Sequence, residues 1–157
     1  MEQGPGQEQT VEPIMSKAVM AVDVNTSVQD CSKAMAKRGV SCAVVTQGGT
    51  AIGIVTERDL VAKVLADAVD PGKVFVKDIM STPLITVPAE ATVGEAAARM
   101  AEYRVRRLIV VGKSGGMVGI ITTGDIARSL AEKHGYREPK FNALARYKDG
   151  VEEGPYR

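Results

Sequence analysis

The sequence predicts a mixed α/β (α+β) protein in which two β-α-β-β-α repeats pack sheet to sheet with pseudo-twofold symmetry. Two observations predict this fold. The tripeptide Ile-Met-Ser occurs at 14–16 and again at 79–81, and the segment GIVTERDL at 53–60 returns as GIITTGDI at 119–126. Matches in register along both halves indicate an internal duplication. One copy alone would leave an apolar sheet face uncovered, so we expect the two copies to cover each other.

The first part of each repeat predicts a short strand followed by an amphipathic helix. The extended segments are predicted at 19–24 and 84–87. Apolar residues then recur at helical spacing: Val28, Cys31 and Met35 in the first copy and Val93, Ala97 and Met100 in the second. The N-cap candidates are Thr26, Ser27 and Thr92, and Gly39 is the C-cap candidate of the first helix.

The second part of each repeat predicts a β-hairpin that runs directly into another helix. Glycine-containing turns at 47–50 and 112–116 separate two runs of β-branched residues in each copy, and the second turn is one residue longer. The predicted strands and closing helices are 41–46, 51–56 and 57–68 in the first copy and 106–111, 117–122 and 124–134 in the second.

The domain organisation follows from the repeats. We predict a disordered N-terminus at 1–10, a first repeat at 11–69, a linker at 70–74, a second repeat at 75–134 and a polar tail at 135–157. The tail carries Phe141, Leu144 and Tyr147 at a spacing of three. It is interpreted either as a surface helix or loose end, or as a segment that docks on a partner.

Composition excludes several functional classes. The formal net charge of +1 gives no general attraction to nucleic acid or acidic membranes. No apolar run reaches the roughly 20 residues that span a bilayer, and the N-terminus lacks the features of a signal peptide, so we expect a cytoplasmic protein. Cys31 and Cys42 are therefore expected as reduced thiols. With His134 as the only histidine, no metal site is predicted.

The two strand-to-helix junctions carry the candidate chemistry. In each copy a buried strand ends at a threonine, and an aspartate follows three residues later: Thr56 with Asp59, and Thr122 with Asp125. Such a pair is first of all a helix cap. Unpaired N–H groups at a helix start also attract anions, and a carboxylate there accepts hydrogen bonds from vicinal hydroxyls. The junctions therefore predict either two caps or sites for a nucleotide-like ligand.

Arginines near the junctions are candidate phosphate ligands, because the guanidinium group donates hydrogen bonds in pairs. Arg106 and Arg107 begin a predicted strand, where alternation should direct them to opposite clefts. Arg58 lies inside the first junction. Cys42 stands where the second copy has Arg107, so the two sites should differ. Charged protection of a strand end is the structural alternative.

No catalytic set is present in the sequence, so an enzyme is not predicted. One remote histidine excludes a Ser-His-Asp or Cys-His pair, and no carboxylate cluster suits a metal. The glycine pairs at 48–49 and 115–116 have the spacing of turns and match no phosphate-binding loop.

These motifs together make the chain resemble a tandem pair of cystathionine β-synthase (CBS) domains, often called a Bateman module. The residues that carry the resemblance are the Ile-Met-Ser segment at 79–81, the run RRLIVV at 106–111 and the two junctions at 53–60 and 119–126. The resemblance covers roughly residues 11–134. It is closest to the small stand-alone members, which lack an attached enzyme or channel.

The resemblance implies a regulatory module that senses AMP, ADP or ATP, or alternatively S-adenosylmethionine, in up to two clefts between the repeats. It implies that Asp59 and Asp125 hold the ribose, that Thr56 and Thr122 meet phosphate or ribose, and that Ile54 and Ile120 flank the base. Each cleft is then closed by the other copy. Closing residues implied for the Asp125 cleft are Ser16, Ala18, Met20, Val40, Ser41 and Arg107; those for the Asp59 cleft are Ser81, Pro83, Ile85, Val105 and Arg106. A homodimer in the form of a flat disc is also implied.

Two other functions stay open at this point. Cys42 and Gly124 depart from the pattern of their counterparts, which suits an adaptor with degenerate nucleotide sites that works through an unidentified protein partner. A nucleic-acid binder using Arg104, Arg106, Arg107 and Arg128 is the weaker alternative, because the near-neutral net charge argues against it.

Overall fold

The computed structural model describes residues 8–135 and has the predicted β-α-β-β-α order in both halves, with one additional short helix at the start of the second. The first half contains β1 (Ala21–Asp23), α1 (Val28–Arg38), β2 (Cys42–Gln47), β3 (Thr50–Thr56), α2 (Glu57–Leu60) and a π-helix (Val61–Leu65). The second half contains α3 (Val76–Ile79), β4 (Thr86–Pro88), α4 (Val93–Tyr103), β5 (Arg107–Val111), β6 (Met117–Thr122) and α5 (Thr123–Lys133). The chain divides into one unit that ends at Ile126 and another that begins at Ala127.

The first long helix of each repeat begins and ends at the predicted kind of residue. The Ser27 hydroxyl accepts a hydrogen bond from the Asp30 N–H at the start of α1 (3.0 Å), and Gly39 ends the helix in the left-handed conformation. Thr92 and Glu95 form a reciprocal capping box at the start of α4. The cap predictions for these helices are confirmed.

Two three-stranded sheets have the same topology. β1 pairs in parallel with β2, and β2 pairs antiparallel with β3; β4, β5 and β6 repeat this arrangement. The parallel pairs require a crossover, which α1 and α4 supply. Both hairpins shift register at equivalent places, after Val45 and after Val110.

The sheets pack face to face, as predicted. Val44 of β2, Ile109 of β5 and Ile120 of β6 form one apolar cluster, and each is at most 7% exposed. Because the cluster combines strands of both repeats, it covers the sheet face that one repeat alone would leave in water. The predicted α/β fold of two packed repeats is confirmed.

The segments that precede β1 and β4 are exchanged between the repeats. Val11 is fully buried in the core of the second repeat, while Val76 and Ile79 are buried in the core of the first. Backbone pairing fixes the exchange: the Ser16 N–H donates to the Ile120 carbonyl (2.9 Å), and the Ser81 N–H donates to the Ile54 carbonyl (2.8 Å). We call these segments, residues 11–16 and 76–81, the lead-ins. The lead-in of the first repeat completes the core of the second, and the lead-in of the second completes the core of the first.

Some predicted boundaries differ from the structure. The closing helix of the first copy changes at Val61 into a π-helix, in which the Ala66 N–H donates to the Val61 carbonyl (2.9 Å). The helix α3 was not predicted, since it has only four residues. Gln9 and Thr10, predicted as disordered, pair with the start of α4 through Val93 and Thr92.

The tail prediction, including Phe141, Leu144 and Tyr147, lies outside the described residues, and so do residues 1–7. Among residues 8–135, no helix combines the length and apolar character that crossing a bilayer requires.

Candidate functional site

A cleft of about 820 Å³ lies beside the first junction, within the usual size range of small-molecule sites. Its lining joins the end of β3 and the start of α2 to the loops that precede β4 and β5. All the residues predicted to surround Asp59 are part of it. The full lining is Ile54, Thr56, Glu57, Arg58, Asp59, Ala62, Lys63, Ser81, Pro83, Leu84, Ile85, Arg104, Val105, Arg106, Arg107 and Ile109.

The carboxylate of Asp59 is held against the start of its own helix. Its Oδ2 accepts hydrogen bonds from the Thr56 N–H (2.9 Å) and the Thr56 hydroxyl (3.0 Å). The Asp59 N–H donates in return to the Thr56 Oγ1 (3.3 Å). The capping interpretation of this pair is therefore correct, and the carboxylate also lines the cleft. Capping leaves one oxygen, Oδ1, for other partners.

Oδ1 of Asp59 has two partners on the cleft side. The Lys63 Nζ lies 2.8 Å from it, and the Ser81 hydroxyl donates to it at 3.2 Å. The same Nζ donates to the Ile79 carbonyl at 2.7 Å. Ser81 and Ile79 belong to the exchanged lead-in, so this acid joins the two repeats.

The surroundings of Asp59 favour its ionised form. Asp59 is only 6% exposed, and burial by itself would raise its pKa. The hydrogen bonds from Lys63 and Thr56, together with the charge of Lys63, outweigh burial, so the pKa of Asp59 lies below its ordinary value. The carboxylate is therefore an anion at neutral pH and acts as a hydrogen-bond acceptor.

The expectation of free N–H groups at the helix start needs correction for part of them. The Glu57 N–H donates to the Ser41 carbonyl (3.0 Å), and the Asp59 N–H donates to Thr56. At the second junction the Thr123 N–H donates to the Arg106 carbonyl (2.9 Å). Two of the backbone donors at the first helix start are therefore satisfied within the protein, so side chains become the more important candidates for holding an anion in the Asp59 cleft.

Positively charged side chains in the cleft are able to hold an anion. Arg58, Arg104, Arg106, Arg107 and Lys63 line the cleft, against Glu57 and Asp59, which leaves an excess of three positive charges. Within the described part of the chain, the Nη1 atom of Arg107 is buried without a hydrogen-bond partner. Unsatisfied buried donors are rare, so this atom marks a place suited to an acceptor.

Arg106 and Arg107 both line the cleft of Asp59, and Arg106 also lines a smaller pocket with Thr123 and Ile126 of the second junction. Which arginine contacts a ligand in which cleft stays a prediction, and strand alternation applies to only one of the two. β5 begins at Arg107, whereas Arg106 precedes the strand and follows Arg104, which has the left-handed backbone conformation (φ 54°). Alternation of side chains applies only within a strand.

The second junction repeats the cap but has a different environment. Asp125 Oδ2 accepts from the Thr122 N–H (2.8 Å) and the Thr122 hydroxyl (2.9 Å). Met20 was predicted to line a cleft here, yet it is 5% exposed and packs in the core of the first repeat. Ile120, at 7% exposure, belongs to the cluster between the sheets. Both positions leave little side chain for a ligand.

Most of the remaining residues predicted for the Asp125 side are exposed. Ser16, Ala18 and Ser41 are exposed, and Val40 packs partly against the first core. Ser16 reaches the second junction through its backbone pairing with Ile120. Ligand contact by these residues stays a prediction.

Cys42, the counterpart of Arg107, lies next to that arginine. Burial raises the pKa of the Cys42 thiol, and the charge of Arg107 and a hydrogen bond from it counteract the effect in part. Both cysteines are free thiols in the structure, as predicted, and Cys31 is completely buried.

Sequence reasoning missed several lining residues, of which Lys63 matters most. Lys63 follows Asp59 by four residues, a spacing at which side chains on a helix meet. That spacing was available as a signal, but the position is not duplicated, since Ser129 stands at the equivalent place in the second copy. Leu84, Arg104 and Ile109 join the cleft only because the two repeats pack together.

Comparison with known proteins identifies related sequences. The family model described as "CBS domain" matches residues 11–66 and 76–132. A relative from Methanopyrus kandleri, the uncharacterized protein MK0525, is 42% identical over 93 residues. This alignment covers 59% of the present chain and 47% of MK0525, so the chain matches about half the length of that relative.

Solved structures of the same kind superpose on the chain. The CBS domain pair of protein MJ0100, in complex with 5′-methylthioadenosine and S-adenosyl-L-methionine, is 28% identical with a TM-score of 0.71; the match covers 80% of this chain and 98% of that one. A hexameric CBS-CP12 protein from bloom-forming cyanobacteria is 32% identical with a TM-score of 0.69, covering 75% and 69%.

Proposed function

Because the chain belongs to the CBS domain family, whose paired domains are regulatory ligand-binding modules, we propose that it senses an adenine nucleotide in the Asp59 cleft. AMP, ADP and ATP are the proposed ligands. The observation that carries the proposal is the combination, in one cleft of about 820 Å³, of a buried ionised acid with an excess of positive side chains. An acid suits a sugar diol, and arginines suit phosphate.

The chemistry of the lining residues supports an assignment of the parts of a nucleotide. Asp59 and Thr56 would recognise the ribose hydroxyls, and the apolar residues Ile54 and Ile85 would border the base. Arg106 and Arg107 would hold the phosphates, and the buried Nη1 of Arg107 supplies a donor that needs an acceptor. Arg58, at the first helical turn, is a further phosphate donor.

S-adenosylmethionine is the second candidate, and the MJ0100 complex favours it, since that domain pair holds this ligand and 5′-methylthioadenosine. S-adenosylmethionine and the adenine nucleotides share the adenine base and the ribose, so the contacts to these two groups would be the same for either ligand. The charge of the present cleft argues for nucleotides: a sulfonium carries positive charge, and the lining has three more positive than negative groups. The two candidates are separated by direct binding.

The proposed role is regulatory, with no catalysis by this chain. The ligand would stabilise one arrangement of the two repeats, because Asp59 and Ser81 come from different halves and both border the cleft. A homodimer formed through helices is also proposed. Val61 and Leu65 of the π-helix are 57% and 76% exposed and offer apolar surface for it. Native mass spectrometry reports the subunit count and any retained nucleotide.

Isothermal titration calorimetry with AMP, ADP, ATP and S-adenosylmethionine tests the proposal. We expect nucleotide binding by the wild type, strong loss in Asp59→Ala, and retention in Glu95→Ala, which removes the capping acid of α4 outside the cleft. Asp125→Ala reports whether a second equivalent binds at the other junction. Failure of all three nucleotides to bind, with the protein folded by circular dichroism, would overturn the proposal.

A further inference from the structure

The carboxylate of Asp59 has no acceptor capacity left for a ligand in this structure. A carboxylate offers about four acceptor positions. Thr56 fills those of Oδ2 through its N–H and hydroxyl, while Lys63 and Ser81 fill those of Oδ1. A ribose diol that binds Asp59 must therefore displace at least one of these donors.

Lys63 is the charged donor that is able to leave. The Thr56 bonds are local caps, and the backbone of Ser81 is held by pairing with Ile54 through both its N–H and its carbonyl. The Lys63 side chain is 43% exposed, compared with 9% for Asp59, and its flexible stem gives the ammonium other positions in water. Its second contact, the Ile79 carbonyl, is a single hydrogen bond.

We infer that Lys63 is an internal competitor for the ribose-binding acid and thereby makes the cleft selective for phosphorylated ligands. This inference rests on the proposed nucleotide function. A nucleoside that displaces Lys63 from Asp59 gains hydroxyl contacts but loses an ion pair. A nucleotide compensates for that loss, since its phosphates bring negative charge into a cleft that Lys63 lines together with four arginines.

The lysine is present at the first junction only. The equivalent position in the second copy is Ser129, which has no charge and a short side chain. The two junctions share the threonine, the aspartate and the cap that these residues form. The lysine is therefore a feature that distinguishes the first junction from the second. Selectivity of this kind works by weakening the binding of the unwanted ligand, here the nucleoside, which has to break the ion pair between Lys63 and Asp59.

The test compares adenosine with ADP, by calorimetry, in the wild type and in Lys63→Met, which keeps an apolar stem but removes the ammonium. We expect adenosine to bind about fivefold more tightly to the variant, the effect of one half-exposed ion pair. ADP affinity should change less, because the competitor and a phosphate contact are lost together. Lys63→Arg should retain the preference of the wild type for ADP.

Lys73→Met is the matched control, since it removes a lysine that pairs with Asp70 away from the cleft. It should leave the adenosine-to-ADP affinity ratio unchanged. Equal changes for both ligands in Lys63→Met, or no change, would overturn the inference while leaving the nucleotide proposal intact. Absence of any binding to either protein would overturn both. If Lys63→Met bound adenosine while the wild type bound neither ligand, the role of Lys63 as a competitor would be supported, and nucleotide sensing by the wild type would be contradicted.

Discussion

A Cβ atom placed on Gly53 would lie 2.6 Å from the Sδ of Met80. The second repeat has the same relationship, with Gly119 facing Met15 at 2.7 Å. Each glycine opens a junction segment, and each methionine belongs to a lead-in from the other half. The two repeated sequence motifs are therefore the two sides of one contact, and the glycine is required because the lead-in backbone passes directly over the strand.

Substituting these glycines by alanine should destabilise the protein by about 1–3 kcal/mol, the usual effect of overpacking. Gly119→Ala should be the more severe, because its Cβ would also meet the Ser16 carbonyl at 2.8 Å, against 3.2 Å for the Ser81 carbonyl in Gly53→Ala. Methionine side chains move more readily than backbone. Urea unfolding measures the change.

Gly94→Ala is the matched control for those variants. Gly94 lies inside α4, and a Cβ atom placed on it would have no neighbour closer than 3.4 Å. Alanine should stabilise that helix by up to about 1 kcal/mol. If Gly119→Ala were as stable as Gly94→Ala, the close contact of Met15 and Ser16 with Gly119 would be contradicted.

Stability should fall on acidification through Asp59. The pKa of Asp59 is lowered in the folded protein, so its contribution is fully present above the unfolded-state pKa of about 4 and is lost as pH falls through the lower folded pKa. Asp59→Asn should therefore lose less stability than the wild type between pH 6 and pH 3. Urea unfolding at several pH values measures both curves.

Lys63→Met provides the internal check on that pH dependence. Burial raises the Asp59 pKa, and the hydrogen bond from Lys63 is the largest of the interactions that lower it, so removing the lysine should shrink the loss of stability on acidification. The Thr56 hydrogen bonds remain. Parallel curves for the wild type, Asp59→Asn and Lys63→Met would show that other acids control the response.

The sequence was sufficient for most of the fold because the determining signals are local and duplicated. Thr92 and Gly39 mark helix ends by their own backbone preferences, and the β-branched runs mark the strands. The lead-in exchange could not be predicted from such local signals. The Ile-Met-Ser segments are equivalent in sequence, so the family resemblance alone implied that each closes the cleft of the other copy, and their backbone pairing with Ile54 and Ile120 shows which repeat each one completes.

The candidate site was predictable to a smaller extent, since a cleft depends on parts that are distant in sequence. Thr56 and Asp59 were visible as a motif, but their role as a cap and their place beside a cleft are separate facts. Arg106 was predicted for the Asp59 cleft and lines it, and Arg107, predicted for the other cleft, lines the same one. Lys63 was missed because it is present in one copy only, and the duplication gives no signal at such a position.

The threonine of the first junction should matter for both stability and binding. Thr56→Val keeps a β-branched residue at the end of β3 but removes the hydroxyl that caps α2, at an expected loss of about 1 kcal/mol. If Thr56 also contacts the ligand, ADP affinity should fall beyond the change in folded fraction. Urea unfolding and calorimetry on the same preparation separate the two effects.

Thr92→Val is the control for that variant, because the Thr92 hydroxyl likewise accepts a hydrogen bond from a backbone N–H at the start of its helix, α4, and lies outside the cleft. It should lose similar stability and keep ADP affinity. Equal affinity in Thr56→Val and Thr92→Val would restrict Thr56 to its structural role, without deciding whether Asp59 holds the ligand.

The arginines should make affinity increase with ligand charge, in the order AMP, ADP, ATP, and decrease with salt, because the cleft has three more positive than negative groups. Arg107→Met should weaken ADP roughly tenfold, the effect of losing hydrogen bonds to a charged group, and adenosine much less. Arg38→Met removes an exposed arginine in the last turn of α1 and should change neither. Equal weakening of adenosine and ADP in Arg107→Met would indicate a collapse of the cleft around Cys42, and salt-independent ADP binding would exclude the arginines as phosphate ligands.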